Sequence, residues 1–580
     1  MRSLFPDLRG LTTSALLRDL GAALAITFMA VPQGVAYAMI AGLPPIVGLY
    51  ASTVPTIVGS LFRSSRFVVA GPTNAVSLLV GGAVAAKSLE LGLSPTIVAI
   101  QLALWVGLFQ VAAGVLRLGR IVDFISQPVV LGYITGAGVL IGVGQLHHLT
   151  ATEGGSGNLF QKVWVWSQGL GETAWLPVVV GFAVAAMVVG LRSIDRRIPS
   201  ALLALVVVTV VHVVFGLHDM GLRQLGDISA VPSGLPAFTW SGLPNTNLIS
   251  LAAATAVLSL VEASAVARTL ADKTGDRLNA SQEFIGQGLS NLSAGLFGGY
   301  PVGGSLSRSK LNQQAGAQSR ISGILSGVAM LGVLVVAGPL VERVPVASLA
   351  GLLMVVAWDL VDRVRIRLTF KSHAGDILAF VATVLGTWIL PLDKAIYLGV
   401  GISVVLFLRR SSMLEISELG PGTNGLREGA LGEGFCPAVV ALQIEGPLFF
   451  GAAAELRDAV DEASRRPGTR AIILRLKGTQ GMDMTCLETL SKAATALHAR
   501  DQHLFLVGVR PRPYKRLHDT GIADVIGPER IRQAHPRPFM GLEAALADAV
   551  TLVGDQGDTE GLQAWLAEHP GTGLAATAHD

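Results

Sequence analysis

An arginine, a glutamate, a glutamine and several small hydroxyl residues stand where apolar residues are expected. Together they suit the handling of an anion. Arg308 lies in GGYPVGGSLSRSK (298–310), just after Gly304, Ser305, Leu306 and Ser307. A guanidinium in a membrane segment costs from about 3 to more than 10 kcal/mol, so it requires a partner or a task. Thr73 and Asn74 lie in RFVVAGPTNAVSLL (66–79), which repeats the same order: a proline, small and hydroxyl residues, then a helical apolar pattern. Gln33 and Tyr37 lie in FMAVPQGVAYAMIAGLPPIVGLYAS (28–52). They are four apart and share one helix face, so an amide and a phenol could reach the same centre. Glu262, in AAATAVLSLVEASAVARTL (252–270), is the clearest acid inside an apolar run. Intramembrane carboxylates mark ion or proton paths, and withdrawal from water favours their proton-carrying form.

Each residue has a plainer alternative. Arg308 could be an anchor whose head reaches the cytoplasmic surface, although the cation-rich side lies at the other end of its short helix. Gln33 could satisfy only a carbonyl freed where Pro32 interrupts the first span. Glu262 could be a structural salt-bridge partner of Arg308, and both roles could hold in different states. Asp123 and Asp359 read as interface residues without chemistry.

These residues need membrane helices to hold them. The chain has 580 residues, 51% of them apolar and 14% charged, with a mean hydropathy of +0.57. That excludes an ordinary soluble multidomain protein. The fold class expected is an α-helical polytopic membrane protein. Spans are read near 21–42, 46–62, 70–86, 95–116, 121–146, 175–191, 199–216, 247–267, 281–298, 303–316, 321–340, 346–360, 374–391 and 393–409, about fourteen in all. Loops after even-numbered spans carry the cations, among them Arg63, Arg66, Arg117, Arg120, Arg196 and Arg197. The positive-inside rule then puts both termini in the cytoplasm. No cleavable signal peptide is expected in residues 1–20, which run straight into the first span.

The two Pro-led motifs are preceded by too few apolar residues to cross a bilayer. They read as half-helices that start near the midplane, third in each of two sets of about seven spans. An odd number of spans inverts the second set, so the two helix N-termini approach from opposite sides. Each N-terminus carries roughly half a positive charge and unpaired N–H groups, which makes a ready anion site.

The apolar runs stop near residue 410. A Gly- and Glu-rich stretch, EISELGPGTNGLREGALGEG (415–434), reads as part of a linker over 411–434. Short β-branched runs then alternate with helical patterns, which implies a small α/β domain over 435–551. Residues 552–580 read as a loose tail. Cys436 and Cys486 suggest neither a disulfide framework nor a metal cluster.

At this point VPQGVAYAMIAGLPPIVGLYAS and YPVGGSLSRSKLN carry a resemblance to the sulfate permease (SulP) family of anion transporters over nearly the whole chain. It implies inverted repeats, a core domain (spans 1–4 and 8–11), a gate domain (spans 5–7 and 12–14), a homodimer and an elevator movement. It also implies that Gln33 and Tyr37 contact the anion, that Ser305, Ser307 and Arg308 form the tenth-helix anion site, and that Glu262 is the acid found in proton-coupled members. A sodium-coupled bicarbonate transporter carries an Asp at that acidic position, a hydroxyl one turn on and a Thr in the tenth helix. Here the latter two are Val266 and Leu306, which weighs against sodium coupling. The C-terminal domain resembles a STAS domain. Its phosphorylated members have Asp-Ser-Ser/Thr, where this chain has Asp483, Met484 and Thr485. Met484 cannot take a phosphate, and Thr485 suits an N-cap or first-turn role.

The expectation is a secondary active anion transporter in the inner (plasma) membrane, coupled to protons and not an enzyme, with sulfate as first cargo. It needs no cofactor or metal and binds no nucleic acid. Its partners are a small anion, protons, the lipid bilayer, a second copy and a cytosolic protein docked on the STAS domain. Bicarbonate, a dicarboxylate such as fumarate, an anion channel and an anion sensor stay open as alternatives.

Overall fold

Helices in the first part of the chain start where the sequence offers caps. Thr12 accepts a hydrogen bond from the Ala15 N–H and opens α1 (Thr13–Ile40). Ser94 does the same for α5 (Pro95–Val115), with Pro95 in the first turn where its missing N–H costs nothing. Asn279 accepts from Gln282 N–H and opens α11 (Ala280–Leu296). Pro32 does not interrupt the first span as expected: α1 runs through it. One lost donor and one freed carbonyl are tolerated in a buried helix whose flanking turns stay bonded. Pro44-Pro45 do end the run, and α2 (Pro45–Tyr50) and α3 (Val54–Phe62) follow.

This computed structural model describes residues 12–119, 126–155, 157–195, 199–227, 234–422, 425–430, 432, 434–536, 539–554 and 557–568. Residues 1–11, Arg120, Asp123, Arg196, Arg197 and the end of the tail lie outside these. The chain divides into two compact units, Met1–Val404 and Val405–Asp580.

The first unit continues with β1 (Ala70–Gly71), α4 (Asn74–Leu91), α6 (Gln127–Thr150), α7 (Leu159–Gln168), α8 (Trp175–Ile194), α9 (Ser200–Val214) and α10 (Ile249–Thr274). After α11 come β2 (Gly303–Gly304), α12 (Leu306–Gln314), α13 (Ile321–Glu342), α14 (Val346–Leu360), α15 (Arg363–Thr369), α16 (Ala374–Ile389) and α17 (Leu392–Ser412), whose last residues fall past Val404. Every stretch read as a span carries a helix. Among the described residues, seven segments are long and apolar enough to cross a bilayer: Thr13–Ile40, Pro45–Phe62, Asn74–Leu91, Pro95–Val115, Gln127–Thr150, Trp175–Ile194 and Thr246–Thr274. Helix α12, with nine residues, is too short to cross by itself. Helices α8 and α9 expose Phe182, Val189, Val206 and Val210 outward, as a lipid-facing surface does.

One packing seam shows how the bundle is held. A Cβ on Gly107 would fall 2.6 Å from the Leu292 nitrogen, and one on Gly288 would fall 2.6 Å from the Val111 nitrogen. Helices α5 and α11 therefore meet backbone to backbone, the contact small residues allow where no hydrophobic effect drives association.

The second unit contains a six-stranded sheet in the order β4 (Gly425–Gly429), β3 (Glu415–Gly422), β5 (Val439–Leu448), β6 (Ala471–Met482), β7 (His503–Val509) and β8 (Ile531–Gln533). Strand β5 (Val439–Leu448) leads to α18 (Ala453–Arg465), β6 (Ala471–Met482), α19 (Met484–His498), β7 (His503–Val509), α20 (Pro511–Asp519), α21 (Ile522–Ile526), β8 (Ile531–Gln533) and α22 (Met540–Val553). Strands β5 to β8 are mutually parallel. The sheet is covered on both faces: Leu456, Leu487 and Leu490 belong to one apolar layer and Leu542, Leu546 and Trp565 to another. That accounts for strands that read as continuous apolar runs.

Two readings of this unit are corrected. The stretch 415–429 is not a linker: β3 (Glu415–Gly422) and β4 (Gly425–Gly429) form an antiparallel hairpin, and β3 pairs with β5. Its glycines hide the pattern, yet backbone pairing to β5 satisfies its polar groups. The tail is not loose throughout. Helix α23 (Glu560–Glu568) buries Leu562 and Trp565, and the Trp565 ring lies 5.0 Å from that of Phe435.

Candidate functional site

The site is assembled by a very small sheet. Strands β1 and β2 pair antiparallel, with Ala70 opposite Gly304 and Gly71 opposite Gly303. Each strand leads within a few residues into a helix, α4 after the cap position Thr73 and α12 after the cap Ser305. The pairing thus brings two helix N-termini to one place, each entered from the opposite direction. The Ser305 N–H donates to the Val69 carbonyl at 3.1 Å and extends the match.

Both chemical groups of interest lie over this pair. A Cβ on Gly71 (φ 150°) would fall 2.6 Å from one guanidinium nitrogen of Arg308 and 2.8 Å from its Cζ. A Cβ on Gly303 would fall 2.9 Å from Glu262 Oε2. Directly opposed residues of an antiparallel pair project to the same face, so guanidinium and carboxylate share that face. They do not pair with one another. Arg308 donates to the Pro72 carbonyl at 2.6 Å, and Glu262 accepts from the Thr73 hydroxyl at 2.9 Å. The expected alternative of an Arg308–Glu262 salt bridge is therefore not realised. Among the described residues Arg308 has no carboxylate partner, although it is 1% exposed and its Nε makes no hydrogen bond. The anchoring alternative also fails, because a head group reaching the surface would not be buried.

The other expected residues gather there in part. Gln33 Nε2 donates to Ser307 Oγ at 3.3 Å, and its buried Oε1 makes no hydrogen bond. Ser305 and Ser307 hydroxyls are 3.3 Å apart, and Ser305 accepts from the Arg308 N–H at 3.4 Å. Tyr37 is buried, one turn beyond Gln33 on α1, and lies within electrostatic range of both Arg308 and Glu262. Asn74 turns back to accept from the Ala75 N–H at 2.8 Å. Gly304 faces Ala263, where a Cβ would fall 2.7 Å from its Cα, so it serves close packing on α10. Leu306 is 42% exposed and is not brought into the cluster.

Sequence reading missed the polar scaffold behind the strands. The Val302 carbonyl accepts from Ser259 Oγ at 2.9 Å, Gln287 Nε2 at 2.7 Å and Asn291 Nδ2 at 3.0 Å. Its N–H donates to Asn291 Oδ1 at 2.7 Å. Arg63 donates to Gln287 at 2.5 Å and pairs with Glu283 at 3.0 Å, both deeply buried. Arg63 does lie just past the end of α3, as expected, but it is buried in an ion pair. Tyr300 shares a 2.6 Å hydrogen bond with Ser77 on α4. A signal was present: Glu283, Gln287 and Asn291 recur every fourth residue on an apolar helix.

In the second unit Asp483 caps α19, accepting from Cys486 N–H at 3.0 Å and Phe450 N–H at 2.6 Å. Thr485 lies exposed in the first turn. Among the described residues no cluster of His, Cys, Asp and Glu could hold a metal.

Comparison with known proteins gives this arrangement its family. Residues 16–383 match the model of the sulfate permease family, and residues 436–536 match that of the STAS domain. A putative sulfate transporter of Bacillus subtilis, YvdB, is 30% identical over 531 residues, 89% of this chain and 96% of that protein. Human solute carrier family 26 member 6 is 32% identical over 449 residues, 71% of this chain and 58% of that one. The structure of murine solute carrier 26 family member A9 superposes with a TM-score of 0.83 at 19% identity, covering 93% of this chain and 92% of that one. The transmembrane domain of a cyanobacterial bicarbonate transporter, BicA, superposes with a TM-score of 0.60 at 22% identity, covering 66% of this chain. The chain belongs to the sulfate permease family, a family of multi-pass membrane anion transporters and not of enzymes, and carries its C-terminal STAS domain.

Proposed function

We propose that this chain is a secondary active transporter that binds a small oxyanion between the starts of α4 and α12 and moves it with a proton carried by Glu262. One observation carries the reading: two helix N-termini meet at a glycine strand pair, beside a buried guanidinium that has no carboxylate. Converging N–H groups and one positive charge suit a guest with negative charge. The guest would rest against Ser305, Ser307 and Arg308, with Gln33 and Tyr37 from α1 and Thr73 and Asn74 from α4 around it. Glu262 already accepts a hydrogen bond from Thr73, so a change in its protonation would be felt at the start of α4.

Sulfate is the first cargo to try, since YvdB is described as a putative sulfate transporter. The antiparallel entry of β1 and β2 is what an inverted repeat would produce. In this reading α1–α5 and α10–α13 travel as an elevator core past a gate of α6, α8, α9, α14, α16 and α17. The transport region spans 21–410 of the inner (plasma) membrane, both termini are cytoplasmic, two chains form a dimer, and the STAS domain docks a cytosolic protein.

The test is uptake of labelled sulfate into proteoliposomes with and without an imposed pH gradient. Saturable uptake driven by inward protons is expected. A large unsaturable current would make the protein a channel, and binding without flux would make it a sensor. Saturable uptake of bicarbonate or fumarate in place of sulfate would reassign the cargo and leave the site.

A further inference from the structure

A second polar cavity lies apart from the paired helix starts. It has a volume of about 140 Å³, is partly open, and is lined by the last turns of α6, by α7, by the loop between them and by Met39, Ile40 and Leu78. Tyr133, whose hydroxyl donates to the Ala75 carbonyl at 3.4 Å, and His147 lie on the same helix. At 1.5 Å per residue His147 stands about 20 Å along α6 from Tyr133, while Met39 and Leu78 bring the inner wall of the cavity near Tyr37 and Ser77.

Its lining is basic. His147, His148 and Lys162 are the ionisable residues that line it, and no carboxylate does. Glu153, in the adjoining loop, is exposed and does not line it. The two imidazoles touch, with centroids 3.8 Å apart. No carboxylate among the lining residues offsets Lys162, so the cavity suits a negatively charged guest. Loop packing fixes the ring: a Cβ on Gly154 would fall 3.0 Å from His147 Nε2.

An independent observation points to a ligand. Gln145 lines the cavity, is 6% exposed, and its buried Oε1 makes no hydrogen bond among the described residues. Buried polar atoms are almost always partnered, and an amide can present either its N–H₂ or its oxygen. Trp166 is already engaged, donating to Thr150 Oγ1 at 3.2 Å.

We infer that this cavity is a second oxyanion site, formed by the Lys162 ammonium, the His148 N–H and the Gln145 amide, with His147 packed beside them. With the orientation proposed above it opens away from the cation-rich loops, so it would hold the anion before entry or after exit. It rests on that reading for its direction only.

Selenate is the probe. Crystals of the full chain soaked in selenate are measured at the selenium edge. An anomalous peak between Lys162 and Gln145 is expected in the parent and in Arg308→Ala, with none in Lys162→Ala or Gln145→Leu. A parent with no such peak overturns the proposal, and so does a peak that persists in both variants, which would mark an adventitious ion only. A peak beside Arg308 reports separately on the central site and on the folding of the variants. External sulfate uptake supplies the second readout: Lys162→Ala raises KM by roughly tenfold, the size of one charged hydrogen bond, and leaves the maximal rate in place. An unchanged KM overturns the proposal.

Discussion

Ser305 caps α12 with a neutral hydroxyl, and Asp483 caps α19 with a carboxylate. Both helices begin directly after a strand, and both caps accept from the N–H three residues on. At α19 the carboxylate also accepts from the Phe450 N–H, so the positive helix end is neutralised from within. The thiol of the neighbouring Cys486 is pushed up to about 12, first by burial and then by Asp483. It therefore stays protonated at neutral pH, and nothing at that helix end invites an outside anion. At α12 the cap brings no charge and the first charged group after it is a guanidinium. The two starts share their geometry and differ in sign, and the sign decides which of them can take a guest.

The comparison can be broken most severely by making the first start like the second. Ser305→Asp puts a fixed negative charge on α12, and saturable sulfate uptake should disappear. Uptake at the parent rate would remove the helix start from the binding site. Arg308→Ala should lower apparent sulfate affinity by roughly 10- to 100-fold, the range of a hydrogen bond to a charged group, read as KM in proteoliposomes. An unchanged KM would mean that the buried guanidinium serves only the Pro72 carbonyl. Glu262→Gln keeps the hydrogen bond from Thr73 and removes the titrating proton. Sulfate should still bind, while uptake no longer rises with an inward proton gradient; equal gradient dependence in variant and parent would release Glu262 from coupling. The smallest effect belongs to the other helix. Asp483→Ala should cost about 1 kcal/mol of stability in the C-terminal unit, the usual loss for a cap, measured by chemical denaturation, with sulfate uptake unchanged.

Much of the site was legible because helix starts obey local chemistry. A proline followed by small hydroxyl residues marks such a start wherever it occurs, so Thr73, Ser305 and Arg308 could be placed from sequence. The strand pair that joins the two motifs could not. Two residues per strand give no alternation to read, and the partners are more than two hundred residues apart. The Val302 scaffold was hidden for the same reason: its donors come from α10 and α11, and only the folded chain shows which carbonyl they share. Strands β3 and β4 escaped because a glycine-rich stretch reads as loop until β5 offers it a partner. Helix α23 escaped because Trp565 finds its ring contact on Phe435, far back in the chain. Pro32 misled in the other direction, since a single lost donor is affordable inside a packed bundle.

The guanidinium of Arg308 occupies the space a side chain at position 71 would need. The two positions are thereby coupled in their tolerance of change. Gly71→Ala alone should mimic the arginine deletion, and the double variant should be little worse than either single one. Relatives that lost the arginine would relieve that clash, yet the φ of 150° at residue 71 still favours glycine, so glycine should persist there even where the arginine does not.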